Sequence, residues 1–185
     1  EAGKRVFLER DVSQAHVFVG QAAAERGAPD HFPLLVGNYS LGGGGFSSRL
    51  MEVVREEHGL SYSVFSTFQP MARRGPFIAG LQTRNDKLGK ALALLKGEVA
   101  RFVAEGPTSD ELSAAQKYLT GSFPLRIDSN RKIVDYLAMI GFYGLDTDYL
   151  ERFTGRVQAV TRPQIRSAMA ERLDPDRMVT VVVGS

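Results

Sequence analysis

The stretch from Leu41 to Val64, LGGGGFSSRLMEVVREEHGLSYSV, decides how the chain reads. Four consecutive glycines, Gly42 to Gly45, interrupt regular structure. Ser47 and Ser48 then stand as caps for a helix from Ser48 to about His58, with Leu50, Met51, Val53 and Val54 turned inward. Gly59 is a helix stop signal. Beyond it, SYSVFSTF is β-branched and aromatic enough to be a strand. The segment predicts a glycine loop, a helix, a sharp turn and a strand.

Glu57-His58 is the back half of a zinc-protease signature, but the position that needs the other histidine is Val54. A helical zinc site requires two imidazoles one turn apart. The histidines are His16, His31 and His58, and neither H-E-x-x-H nor H-x-x-E-H occurs. No metal site is expected, and His58 reads as a helix-end residue meeting terminal carbonyls. The chain has no cysteine, which excludes a thiolate nucleophile and a disulfide. G-x-S-x-G is absent. The glycine run resembles a phosphate cradle at a helix N-terminus, but GGGGFSSR lacks the lysine of a P-loop. Four glycines equally serve a tight crossover or a close approach of two backbones.

Arg55 and Tyr62 remain. Arg55 falls in the last turn of the predicted helix and Tyr62 at the start of the next strand. The turn at Gly59 lets both project toward one place. A guanidinium fork and a phenolic hydroxyl together suit the gripping of a peptide carbonyl. The plainer reading is an arginine favouring the helix dipole and a tyrosine that packs.

Working outward, KRVFLERD and AHVFVGQAAA read as strands, with turn residues DVSQ between them. Residues 29–41 read as a helix from near Asp30, with Pro33 in its first turn. GPFIAGLQTR is the expected antiparallel partner of SYSVFSTFQP, connected by MARRG. Leu88, Leu92, Leu95, Val99 and Phe102 repeat at helical spacing, and Gly106-Pro107 ends that helix. Thr108 with Glu111, and Thr161 with Gln164, have capping-box spacing. A helix from about Asn130 to Phe142 places Ile133, Leu137 and Ile140 on one face, and DTDYLERFTGRV is a short helix. RMVTVVVGS closes the chain as a buried-type strand. Strand pairs and helical runs are segregated and the hairpins antiparallel. The fold class is α+β, a mainly antiparallel sheet covered on one face by helices.

The 185 residues fit a single domain, 1–185, able to bury about 70% of its unfolded surface. A formal charge of only +2 predicts no field for nucleic acid or an anionic membrane. No apolar run approaches the ~20 residues of a membrane span. The start at Glu1, without Met, reads as a piece of something longer.

Taken together, LGGGGFSSRLMEVVREEHGLSYSV resembles the C-terminal, non-zinc, substrate-binding domain of the M16 metallopeptidases, the inverted zincins. That family includes mitochondrial processing peptidase, insulin-degrading enzyme and bacterial two-chain zinc proteases. The resemblance rests on Gly42–Gly45, on SSRL, and on Arg55 followed seven residues later by Tyr62. GPFIAGLQTRNDKLGKALALL, the later helices and VTVVVG follow the same order, so it spans nearly the whole chain. It implies the M16/LuxS-like metallohydrolase fold and half of a protease. Arg55 and Tyr62 would hydrogen-bond the substrate backbone near the scissile bond. Zinc and the glutamate base would come from an H-x-x-E-H domain on the same polypeptide or a partner chain. The implied partners are that zinc-bearing domain and a peptide, with a dimer compatible. The compartment stays open, the periplasm being one that bacterial relatives use. The alternatives are a structural subunit of the same fold, as in the core proteins of a respiratory complex, and a phosphate or nucleotide binder using the glycine run.

Overall fold

The computed structural model describes residues 3–185, so the first two residues of the predicted 1–185 domain lie outside the described residues. The chain runs β1 (Arg5–Glu9), β2 (Gln14–Ala24), α1 (His31–Asn38), α2 (Met51–Glu57), β3 (Val64–Phe68), β4 (Gly75–Arg84), α3 (Leu88–Glu105), α4 (Ser109–Gly121), α5 (Asn130–Tyr143), α6 (Tyr149–Gln158), α7 (Arg162–Arg172) and β5 (Val179–Gly184). This is the predicted order of strands and helices.

The five strands form one sheet in the order β1-β5-β2-β4-β3. The β3–β4 pair is antiparallel, from Val64 opposite Leu81 to Phe68 opposite Phe77. The expected β1–β2 hairpin is split. The C-terminal strand β5 lies between them, antiparallel to β2 and parallel to β1. Composition explains the exchange. β5 is VTVVVG, alternating buried and half-buried, and belongs in the interior of a sheet. β1 is almost wholly exposed and tolerates the edge.

Ala15, Val17 and Val19 of β2, Phe77, Ala79 and Leu81 of β4, and Val182 of β5 are buried beneath the helices. Strand alternation sends Phe18 and Phe65 to the other face, where both rings close on Gly80. One continuous core joins the sheet to Leu34, Val36, Leu95, Phe102, Phe153 and Ile165 of the helical layer. At roughly 25 cal/mol per Å², burying such side chains contributes about 1.5–3 kcal/mol each.

Thr108 and Glu111 form the predicted capping box on α4, and the Thr161 N–H donates to Gln164 Oε1 over 2.8 Å at the head of α7. On α5, only Ile140 is buried; Ile133 and Leu137 are exposed. The apolar stripe is present, but its N-terminal half is exposed.

Candidate functional site

The glycine run is not a loop opening a helix. It extends α1 by a wide π-type turn, Tyr39–Gly43, and then a short 3₁₀ turn, Gly45–Ser47. Gly44, Ser47 and Ser48 spend their N–H groups on the carbonyls of Tyr39, Gly44 and Gly45. Those donors are therefore not free to cradle a phosphate. Gly42 packs against β3: a Cβ there would lie 2.5 Å from the Ser66 backbone nitrogen. Of the two readings of the run, close backbone approach is the one the geometry displays.

Ser48 has the extended backbone of a cap, φ −100° and ψ 149°, but its hydroxyl donates backward to Gly45 O over 2.7 Å. It thus ties down the glycine turn instead of accepting from the helix, which corrects the capping role. Ser47 is exposed, within the 3₁₀ turn. The helix that follows is π-wound through Met51–Glu57. Such wide windings recur at functional sites. Leu50, Met51 and Val54 are buried, while Val53 is half-buried.

Arg55 lies in the last turn of α2, its guanidinium 4.5 Å above the ring centre of Phe46. Phe46 is itself exposed, so the pair is a surface stack. Gly59 has φ +60° with open space around it, and its N–H donates to Arg55 O over 2.9 Å. The turn therefore rests on glycine's left-handed backbone. Next, Thr83 Oγ1 donates to Leu60 O over 2.6 Å, and the Ser61 hydroxyl is shared between Gln82 O at 2.6 Å and Ser63 O at 2.7 Å. These bonds pin residues 60–63 to β4. They also take carbonyls that a longer ladder would use, so β3 starts at Val64 and Tyr62 precedes it, correcting its predicted place in the strand. Tyr62 is 86% exposed on this pinned segment. Arg55 and Tyr62 line one open cavity of about 430 Å³ with Gln14, Gln82 and Arg84.

At the entry to α2 is a largely buried charge cluster that sequence reading missed. Arg49 donates to Glu111 through Nε and Nη2 and to Gly106 O over 3.0 Å. Its Nη1 lies 3.6 Å from Glu98, which also pairs with Arg101 at 2.6 Å. The Glu111 hydrogen bonds raise the Arg49 pKa. Burial alone would raise that of Glu111, but the bonds from Arg49 and Thr108 prevail and lower it. The one available signal was Arg49 itself, a charge inside the apolar start of a helix.

The histidines are dispersed. His58 Nδ1–H donates to Val53 O over 2.8 Å, the helix-end role expected of it. His16 sits on the sheet opposite Gln82, and His31 is in α1. Among the described residues no group of three or more His, Cys, Asp or Glu could hold a metal ion. The residues present do not fit a zinc site. Nor, among the described residues, is any helix long and apolar enough to cross a membrane.

The family model described as the peptidase M16 inactive domain matches residues 1–119. The chain belongs to the M16 inactive-domain family. A crystal structure of a peptidase M16 inactive domain from Pseudomonas fluorescens superposes with a TM-score of 0.94 at 40% identity, covering 99% of this chain and 44% of that one. The non-peptidase homolog YmxG of Helicobacter pylori is 29% identical over 181 residues, 96% of this chain and 41% of that protein. An uncharacterized zinc protease of Streptomyces coelicolor is 27% identical over 181 residues, 98% of this chain and 39% of its own length. This M16 inactive domain thus spans about two fifths of the relatives it matches.

Proposed function

We propose that this M16 inactive domain grips peptide substrate for a zinc peptidase whose metal and catalytic glutamate lie in another domain or chain. Residues 1–185 would form one domain of that longer assembly. The observation carrying the reading is the cavity shared by Arg55, half-buried, and Tyr62, exposed, neither of them buried as core packing. Arg55 is pre-oriented by its stack on Phe46, and Tyr62 by the pinned 60–63 segment. Their N–H and O–H donors would hold the substrate carbonyl in line, contributing orientation and charge stabilisation. Zinc would supply water activation from outside this chain.

In the full enzyme, Arg55→Ala and Tyr62→Phe should each lower peptide kcat/KM roughly 10- to 100-fold, as loss of a charge-assisted bond of about 1.5–3 kcal/mol implies. Zinc content by metal analysis should not change. Unchanged turnover in both variants sinks the role.

A second reading is a structural subunit without peptidase activity. The Helicobacter relative named a non-peptidase homolog favours it. A chain of complex III2 from Candida albicans shares the fold at 11% identity and a TM-score of 0.83. Activity of the intact protein on unstructured peptides separates the two.

A further inference from the structure

A cavity of about 590 Å³ shares no lining residue with that of Arg55 and Tyr62. It lies between the segment entering α1, the end of α5 and helix α6. A second cavity, about 370 Å³, adjoins it, and Arg26, His31 and Tyr149 line both. Both volumes fall in the ~300–1,000 Å³ range of small-ligand sites.

Arg26 is the unusual member. Its guanidinium lies 5.6 Å over the Tyr143 ring, and its Nε is buried without a hydrogen-bond partner among the described residues. Among the described residues no carboxylate reaches it within 4.0 Å. Three nearby acids are engaged elsewhere: Asp30 with Arg172 at 2.5 Å, Asp146 with Arg156 at 2.9 Å, and Asp148 with Arg152 at 2.7 Å. Asp135 lines the second cavity, beside Arg126 and Lys132. A buried donor on an unmatched cation is costly unless something accepts from it.

The groups around Arg26 suit one kind of acceptor. Burial, and then the charge of Arg26, lower the pKa of His31 to about 4, so its imidazole is neutral at pH 7. Tyr149 Oη lies 3.4 Å from His31 Nε2, and burial raises the phenol's pKa. In the first cavity Arg156 is held by Asp146, so its wall offers one positive charge without a carboxylate partner among the described residues, Arg26, and two neutral hydrogen-bonding groups. Phe32, Pro33 and Leu145 supply apolar surface beside them. A guanidinium fork matches a carboxylate in shape and charge, whereas a dianion would leave negative charge uncompensated.

We propose that the Arg26–His31–Tyr149 cavity binds a monocarboxylate with an apolar or aromatic body. The carboxylate sits on the Arg26 guanidinium and the body rests against Phe32 and Leu145. The carboxylate belongs either to a free organic acid or to the C-terminus of a peptide. The proposal is independent of the role of Arg55 and Tyr62.

Calorimetric titration of the intact protein with 3-phenylpropionate, its amide, N-acetyl-Ala-Phe and N-acetyl-Ala-Phe-amide tests it. Each acid that binds should do so at least about tenfold more tightly than its amide, a difference of ~1.4 kcal/mol. Tighter binding of the peptide acid identifies a chain terminus as the source, and tighter binding of 3-phenylpropionate a free acid. Arg26→Met should abolish the preference for acid at an unchanged melting temperature, and Arg26→Lys should retain part of it. If Arg26→Met melts early, Tyr149→Phe is read in its place and should weaken acid binding severalfold. Equal binding of acid and amide, full acid binding by a folded Arg26→Met, or no heat from either acid up to about 10 mM overturns the proposal.

Discussion

Arg49 holds Glu111 with both arms of its guanidinium: Nε lies 2.5 Å from Oε1 and Nη2 lies 2.8 Å from Oε2. The pair joins the entry to α2, which carries Arg55, to the head of α4, and it borrows the Gly106 carbonyl between α3 and α4. One bidentate contact thus fixes how the Arg55 helix sits on the helical layer. Arg49→Met should destabilise the protein by about 2–4 kcal/mol, because Glu111 and Glu98 lose their shared cation. The figure is set below that of a fully buried pair because Glu111 is partly solvated. Arg49→Met combined with Glu111→Gln should cost less than the sum of the single changes. Urea unfolding of the four species checks this, and strict additivity would show the two do not interact.

Acid sensitivity follows from Glu111. Its pKa lies below the usual 4.5 in the folded chain. A depressed carboxyl stabilises the fold above its unfolded pKa, and that stabilisation disappears as pH falls through the folded value. Glu111→Gln should therefore be less stable than the parent near neutrality, with the gap closing below about pH 4.5.

His31 acts in a higher window. Its pKa falls from 6.5 to about 4 on folding, because burial and Arg26 disfavour the imidazolium. The unfolded chain takes up this proton first, so stability declines as pH drops from 6.5 toward 4. A shift of this size corresponds to about 3 kcal/mol. His31→Leu should flatten the denaturation midpoint across that interval. An equally steep decline in the variant would assign the effect to other groups.

Two glycines should fail differently when given a methyl. At Gly42 a Cβ meets the Ser66 backbone nitrogen at 2.5 Å and Leu50 Cδ1 at 2.8 Å, and the strand backbone cannot yield. Gly42→Ala should cost at least about 2–3 kcal/mol. Gly59 has open space and φ +60°, so Gly59→Ala should cost about 1–2 kcal/mol, partly restored by Gly59→Asn. Chemical denaturation ranks them, and a larger loss at Gly59 contradicts the packing argument.

Phe46 is expected to matter through Arg55. Removing the stack in Phe46→Ala forfeits about 0.5–1 kcal/mol of guanidinium orientation. Under the proposed peptide-gripping role, a full-length protein that cleaves peptide should show a KM roughly two- to fivefold higher with little change in melting temperature. No KM change would detach Phe46 from substrate binding.

Much of this architecture is carried by local signals. Thr108 with Glu111, Gly59 after a helix, and the alternation in SYSVFSTF each act within a few residues, where propensity and capping operate. The same holds for the spacing of Arg55 and Tyr62 and for the lack of a second histidine one turn before His58. Such features are visible without neighbours, because the groups that satisfy them are adjacent in the chain. The π-winding of α2 was not legible, because its apolar pattern fits an ordinary helix as well.

The sequence by itself determined the kinds and order of the elements, the α+β class and the missing zinc motif. Only the tertiary structure decided that β5 separates β1 from β2, that Arg49 meets Glu111 62 residues away, and that Arg26 shares a cavity with His31 and Tyr149 without an ion pair among the described residues. The physical reason is range. Local hydrogen bonding depends on neighbours a few positions off, whereas strand insertion and buried charge pairing depend on which distant surfaces are desolvated together.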